Sequence, residues 1–156
     1  MSMKLTKNFS LSEFTRSSTA ESMGFSNDPT QEHLLALQAL ATATLQPIRE
    51  LVNVPVTITS GYRSTLLNRA IGGVATSQHS KGEACDFQVE GNSKKGLLNI
   101  AKKIRDSGIP FDQLIFEDKG RGSWIHISYS RLGDNRRECL TATFDNDGKA
   151  SYTAGL

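Results

Sequence analysis

Ser77-Gln78-His79-Ser80-Lys81-Gly82-Glu83-Ala84-Cys85-Asp86-Phe87-Gln88-Val89 is the stretch around which the rest of the chain is read. Cys85, Phe87 and Val89 share one parity, and Ala84, Asp86 and Gln88 share the other. Successive side chains of a strand point to opposite faces, so the first set faces a core and Asp86 faces away from it. Gly82 permits a tight turn between His79 and that strand, which lets imidazole and carboxylate reach one point. Trp124-Ile125-His126-Ile127-Ser128-Tyr129 has the same design, with Ile125, Ile127 and Tyr129 alternating against Trp124, His126 and Ser128. Taken singly, each of these polar residues is explained as a hydrogen-bonded group. Two imidazoles and one carboxylate brought together would suit catalytic zinc, with water in the fourth position.

Working outward, Ser10-Leu11-Ser12-Glu13 has the spacing of a capping box and predicts a short helix. The polar run from Ser17 to Ser22 reads as a loop. Asp28 as N-cap and Pro29 at the first turn predict the start of a long helix, whose stripe is Leu34, Leu37, Leu40, Ala41, Leu45, Ile48 and Val52, bent near Pro47. His33 beside that stripe reads as a surface or packing residue. Val54–Thr59 reads as a strand, Ser64–Ile71 as a helix closed by Gly72-Gly73, and Lys94–Ser107 as an amphipathic helix. Gln113–Glu117, Trp124–Ser130 and Cys139–Phe144 are strand-like, and Asp145-Asn146-Asp147-Gly148 turns the chain into a last strand around Ala150–Thr153. Helices first and strands later predict an α+β fold, with helices packed on a mostly antiparallel sheet.

The chain's 156 residues and 17.0 kDa suit one domain over 1–156. With 37% hydrophobic and 22% charged residues, it is neither a disordered nor a collagen-like chain. Eighteen basic against sixteen acidic residues give +2, too even to argue for nucleic acid. No apolar stretch is long enough for a membrane span, and Met1 to Phe9 lacks the apolar run of a secretory signal. Cys85 and Cys139 are too few for a disulfide scaffold and read as buried thiols. A monomer is expected.

Ser77, His79, Gly82, Ala84 and Asp86 fit Ser-x-His-x-x-Gly-x-Ala-x-Asp. That pattern resembles the zinc signature of D-alanyl-D-alanine carboxypeptidases and related peptidoglycan peptidases, a group that includes vancomycin-resistance dipeptidases and phage endolysins and shares its fold with the hedgehog signalling domain. Ser60-Gly61-Tyr62-Arg63-Ser64 resembles the family's substrate-side segment, and Trp124-Ile125-His126 its third-ligand strand. The resemblance implies Zn2+ held by His79, Asp86 and His126. It also implies that Arg63 recognises a terminal carboxylate, as a guanidinium does bidentately, with Ser77 as helper and Gln78 near the oxyanion.

One departure matters. Well-known members carry the general base three residues before the third ligand, where this chain has Ser123. Glu117 is the replacement: registers that set it opposite Trp124 or His126 place it on the face of His126. Glu83 and Asp118 are weaker candidates. The expected function is therefore zinc-dependent hydrolysis of the peptidoglycan stem peptide by a phage or prophage lysis enzyme, made in the cytoplasm and released by a holin-type pore or carried in the virion. The competing reading is a non-catalytic, metal-stabilised wall-binding or virion domain, kept open by Ser123. An iron or heme oxygenase built on the same ligands lacks a supporting motif.

Overall fold

Ser10 and Glu13 form the capping box, with the Glu13 carboxylate accepting from the Ser10 amide at 2.7 Å, and α1 (Leu11–Thr15) follows. The computed structural model describes residues 2–156. The polar run expected as a loop is instead a short helix, α2 (Ser18–Met23). Ser17 Oγ accepts from the Ala20 amide at 3.1 Å, and Gly24 stops the helix in the left-handed region. Both ends are thus set by caps, and a polar run with good caps can be helix as readily as loop.

The long helix begins later than Asp28-Pro29 predicts. Thr30 is its cap, accepting from the His33 amide at 3.2 Å, while Asp28 accepts from the Ser26 hydroxyl. It runs as α3 (Gln31–Leu40), a π-helical turn (Ala41–Leu45) and α4 (Gln46–Val52). The irregular turn lies just ahead of Pro47, which has no amide hydrogen to continue the α-helical ladder. Then come β1 (Val56–Ser60), starting two residues later than expected, and α5 (Thr65–Ala70), capped by Ser64. A 3-10 turn (Gln78–Lys81) leads to β2 (Ala84–Val89), and Ser93 caps α6 (Lys94–Asp106). The remainder is strand: β3 (Gln113–Asp118), β4 (Ser123–Ser128), β5 (Glu138–Phe144) and β6 (Ala150–Ala154).

The fold is α+β. Six strands form one sheet in the order β1-β2-β4-β3-β5-β6, antiparallel throughout except for the parallel β3–β5 pair. Cys85, Phe87 and Val89 of β2 and Ile125 and Ile127 of β4 are buried in a cluster with Phe14, Leu37, Leu40, Ile48, Leu97 and Ile104. Helices therefore cover one sheet face, as the alternation predicts, and Asp86 and His126 belong to the other. His33 is a packing residue, its Nδ1 lying 3.0 Å from the Tyr62 hydroxyl. Both cysteines are free; Cys85 is buried, but Cys139 on β5 is only partly so, because that strand lies close to the sheet margin.

Candidate metal centre

Asp86 on β2 and His126 on β4 are direct partners across the antiparallel ladder. His126 Nδ1 lies 3.0 Å from Asp86 Oδ1, and His79 Nε2 approaches the same oxygen at 3.4 Å. His79 comes from the 3-10 turn, which Gly82 ends at φ +74°. A side chain at Gly82 is excluded twice over, since a Cβ there would sit 2.5 Å from the His33 carbonyl oxygen of α3. Ser77 Oγ caps the turn by accepting from the His79 amide at 3.2 Å.

One donor atom from each of His79, Asp86 and His126 falls within 4.8 Å of the others. Ligands at ~2.0–2.1 Å from a tetrahedral ion are about 3.3 Å apart, so the two separations to Asp86 Oδ1 are those of a coordination edge. His79 Nδ1 is 2.8 Å from the Gly61 carbonyl, which makes it the donor nitrogen and leaves Nε2 with a free lone pair. Burial would raise the Asp86 carboxyl, but the hydrogen bond with His126 and the neighbouring His79 imidazole hold it far below the ordinary range, so it is a carboxylate. Burial also lowers the His79 imidazole, against the pull of Asp86, and so favours the neutral, ligating form. Donor types, spacing and ionisation all fit a divalent cation of the zinc kind.

The anchor of His79 is itself tightly seated. Tyr62 N donates to the Phe14 carbonyl at 2.6 Å, and a Cβ on Gly61 would come within 2.5 Å of that same oxygen. Strand β1 therefore ends against the backbone of α1, and this contact aims the Gly61 carbonyl at the imidazole.

All seven residues singled out from sequence (Arg63, Ser77, Gln78, His79, Asp86, Glu117 and His126) line one cleft of about 320 Å³. Larger hollows of about 460 and 550 Å³ lie elsewhere, the first sharing Arg63 with this cleft. On β3, Glu117 pairs with Trp124 and Ile115 with His126, so Glu117 lies on the face of His126. Burial, and then the negative charge of Asp86, push its carboxyl up to about 7. Ser123 shares the strand parity of Ile125 and Ile127, so its side chain belongs to the face away from His126. Asp118 is likewise of opposite parity to Glu117 and pairs with Lys94 at 3.1 Å.

Arg63 is largely buried. Its Nη2 is 4.0 Å from Asp86 Oδ2, its Nη1 is 3.4 Å from Asn68 Oδ1, and its Nε is buried with no hydrogen-bond partner. An unsatisfied buried donor in a cleft is suited to a ligand oxygen. Gln78 is more committed: its Nε2 donates to Asp112 Oδ2 at 2.9 Å. Trp124 packs against Phe144, ring centroids 6.5 Å apart, with the Lys119 ammonium over both rings.

Sequence reasoning missed Tyr152 of β6, which also lines the cleft. Burial and then the charges of Glu117 and Asp86 raise its phenol. Its signal is a single large side chain between Ala150 and Ala154 on one strand parity, but that says nothing until the parallel β3–β5 pairing is known.

A family model described as Peptidase M15 matches residues 7–128. The chain belongs to the peptidase M15 family. M15 peptidases are metallopeptidases, and the match spans all seven residues above, ending with the last residue of β4. No curated protein matches the chain.

Proposed function

We propose that this M15 peptidase is a zinc enzyme that hydrolyses a peptide bond in the peptidoglycan stem, as a D-Ala-D-Ala carboxypeptidase or an L-Ala-D-Glu endopeptidase. The observation that carries the reading is the meeting of His79, Asp86 and His126, with Glu117 on the same sheet face. Zinc, when bound by those three side chains, polarises the scissile carbonyl and lowers the pKa of its water toward about 7.

The chain's own residues do the rest. Glu117, with a carboxyl raised to about 7, both accepts and returns a proton near neutral pH. It takes the proton of the attacking water and delivers it to the leaving amine as the C–N bond breaks. Arg63 offers its unpartnered Nε and its Nη2 to a substrate carboxylate, pulling the chain end toward the metal ligands. Gly61, through its carbonyl, holds His79 in the tautomer that can ligate.

The non-catalytic reading rests on Ser123 alone, and Glu117 supplies the carboxylate whose loss Ser123 suggested. The same proposal implies work at the cell wall, as a phage or prophage lysis enzyme. The deciding experiment is digestion of purified peptidoglycan by zinc-loaded protein, followed by mass spectrometry of the fragments. Loss of a terminal alanine, or separation of the stem after its first residue, is expected. No new amino groups with zinc, cobalt or manganese, at any pH, would overturn the peptidase reading and leave a wall-binding domain.

A further inference from the structure

The last hairpin of the chain, β5–β6, follows the residues that match the M15 family, yet it reaches the cleft. Glu117 pairs with Ala142 of β5, and Ala142 pairs with Tyr152 of β6. Directly paired residues share a face, so Glu117, Ala142 and Tyr152 form one row on the side of His126. Strands lie about 4.8 Å apart, which puts the Tyr152 backbone two strand spacings, or about 10 Å, from that of Glu117 across the sheet. The residue between them is an alanine, fully buried, so nothing tall separates the phenol ring from the carboxylate.

Tyr152 is 57% exposed and has Ala150 and Ala154 as its same-face neighbours on β6, so its ring is not there to fill a core. The cleft is otherwise mostly charged or amide-lined; its other exposed apolar side chain is Val74, 69% exposed, on the loop after α5. Two exposed apolar side chains in a polar cleft mark where the alkyl parts of a ligand can be covered. Sheet order gives the direction. Arg63 stands beside Asp86 of β2, and β4, β3, β5 and β6 follow in turn. A chain whose terminal carboxylate is held at Arg63 crosses the metal ligands and Glu117 and then arrives at Tyr152.

We propose that Tyr152 is a substrate-positioning residue whose ring packs against the acyl side of the peptide, the part beyond the scissile bond from Arg63. The inference rests on the stem-peptide reading above. It assigns the C-terminal hairpin a role in specificity: the ring rewards a side chain on the acyl side, while the metal ligands and Glu117 act on the bond itself.

The test uses zinc-loaded full-length protein and purified disaccharide-pentapeptide as probe. Tyr152→Ala is expected to raise KM about tenfold with kcat within about twofold, and Tyr152→Phe to return KM to within about twofold of wild type. Zinc per chain stays the same in all three. In a Glu117→Gln background, where turnover is removed, calorimetry is expected to show the same weakening of binding for Tyr152→Ala. Unchanged KM and binding in Tyr152→Ala would overturn the proposal, as would a Phe variant as weak as the Ala variant. If wild type binds the probe without cutting it, the peptidase reading fails while the Tyr152 inference is decided by binding alone. If wild type neither binds nor cuts it, both fall.

Discussion

Asp86 and His126 face each other across the β2–β4 ladder, so the core of the candidate metal centre is a cross-strand pair. Its geometry follows from backbone register, and a slip of one residue between the two strands would send one of the two side chains into the helical layer and separate the pair. Asp86→Asn keeps the shape but loses the charge that a cation needs. We expect zinc affinity to fall by at least about a hundredfold, read by competition with a chromophoric chelator, with the sheet intact by circular dichroism. Wild-type affinity in the variant would remove Asp86 from the ligand set.

Glu117→Gln separates binding from chemistry. The amide cannot take a proton, so turnover should drop by about 10²–10⁴-fold while zinc stoichiometry stays at the wild-type value. Full activity would move the base to another group.

In metal-free protein the same carboxyl makes stability depend on pH. Its folded pKa of about 7 lies above the unfolded value, so its contribution is complete below about 4.3 and is lost as pH rises through 7. Wild type should lose on the order of 2 kcal/mol relative to Glu117→Gln between those limits, after allowance for partial solvent access. Parallel urea titrations at several pH values measure the difference; equal slopes for the two proteins would refute it.

Asp112 behaves in the opposite sense. Its oxygens accept from Arg136 Nε at 2.8 Å, Arg136 Nη2 at 3.0 Å and Gln78 Nε2 at 2.9 Å. The Arg136 guanidinium holds the carboxyl down at about 2 against the effect of burial. Stability from this group is therefore present above about pH 4 and is lost as pH falls toward 2. Because Arg136 is half exposed, a contribution of about 1 kcal/mol is expected. Asp112→Asn should lower stability by about that amount at pH 7, with the gap closing in acid. A gap that persisted at pH 2 would assign the loss to packing.

Metal removal should lower the melting temperature. A cation at about 1,000 times its dissociation constant stabilises by about 4 kcal/mol if it binds only the folded chain. Calorimetric scans with and without chelator should differ by several degrees, and the difference should vanish in His79→Ala.

The parts of the fold that were legible are those in which one physical period dominates. β2 and β4 each bury one face, so the alternation of Cys85, Phe87, Ile125 and Ile127 is enough to orient Asp86 and His126. α6 was legible because its apolar residues keep helical spacing. The start of α3 was misread because Asp28 and Thr30 are both good caps, and only the packed backbone decides which amide is met. α2 was missed because Ala20 is its only buried residue. The position of Tyr152 depends on a parallel pairing between strands separated by β4 and a long connection, which no local pattern encodes.

The seat of Gly61 on Phe14 has a mechanical meaning. Amino-terminal helix, strand end and imidazole are joined by two short backbone-centred contacts, Tyr62 N to the Phe14 carbonyl and the Gly61 carbonyl to His79 Nδ1. Helix α1 is thus a thrust bearing for one imidazole of the candidate site. Whatever displaces α1, whether a fused tag, a truncation or a docked partner, would shift the His79 ring without touching the cleft.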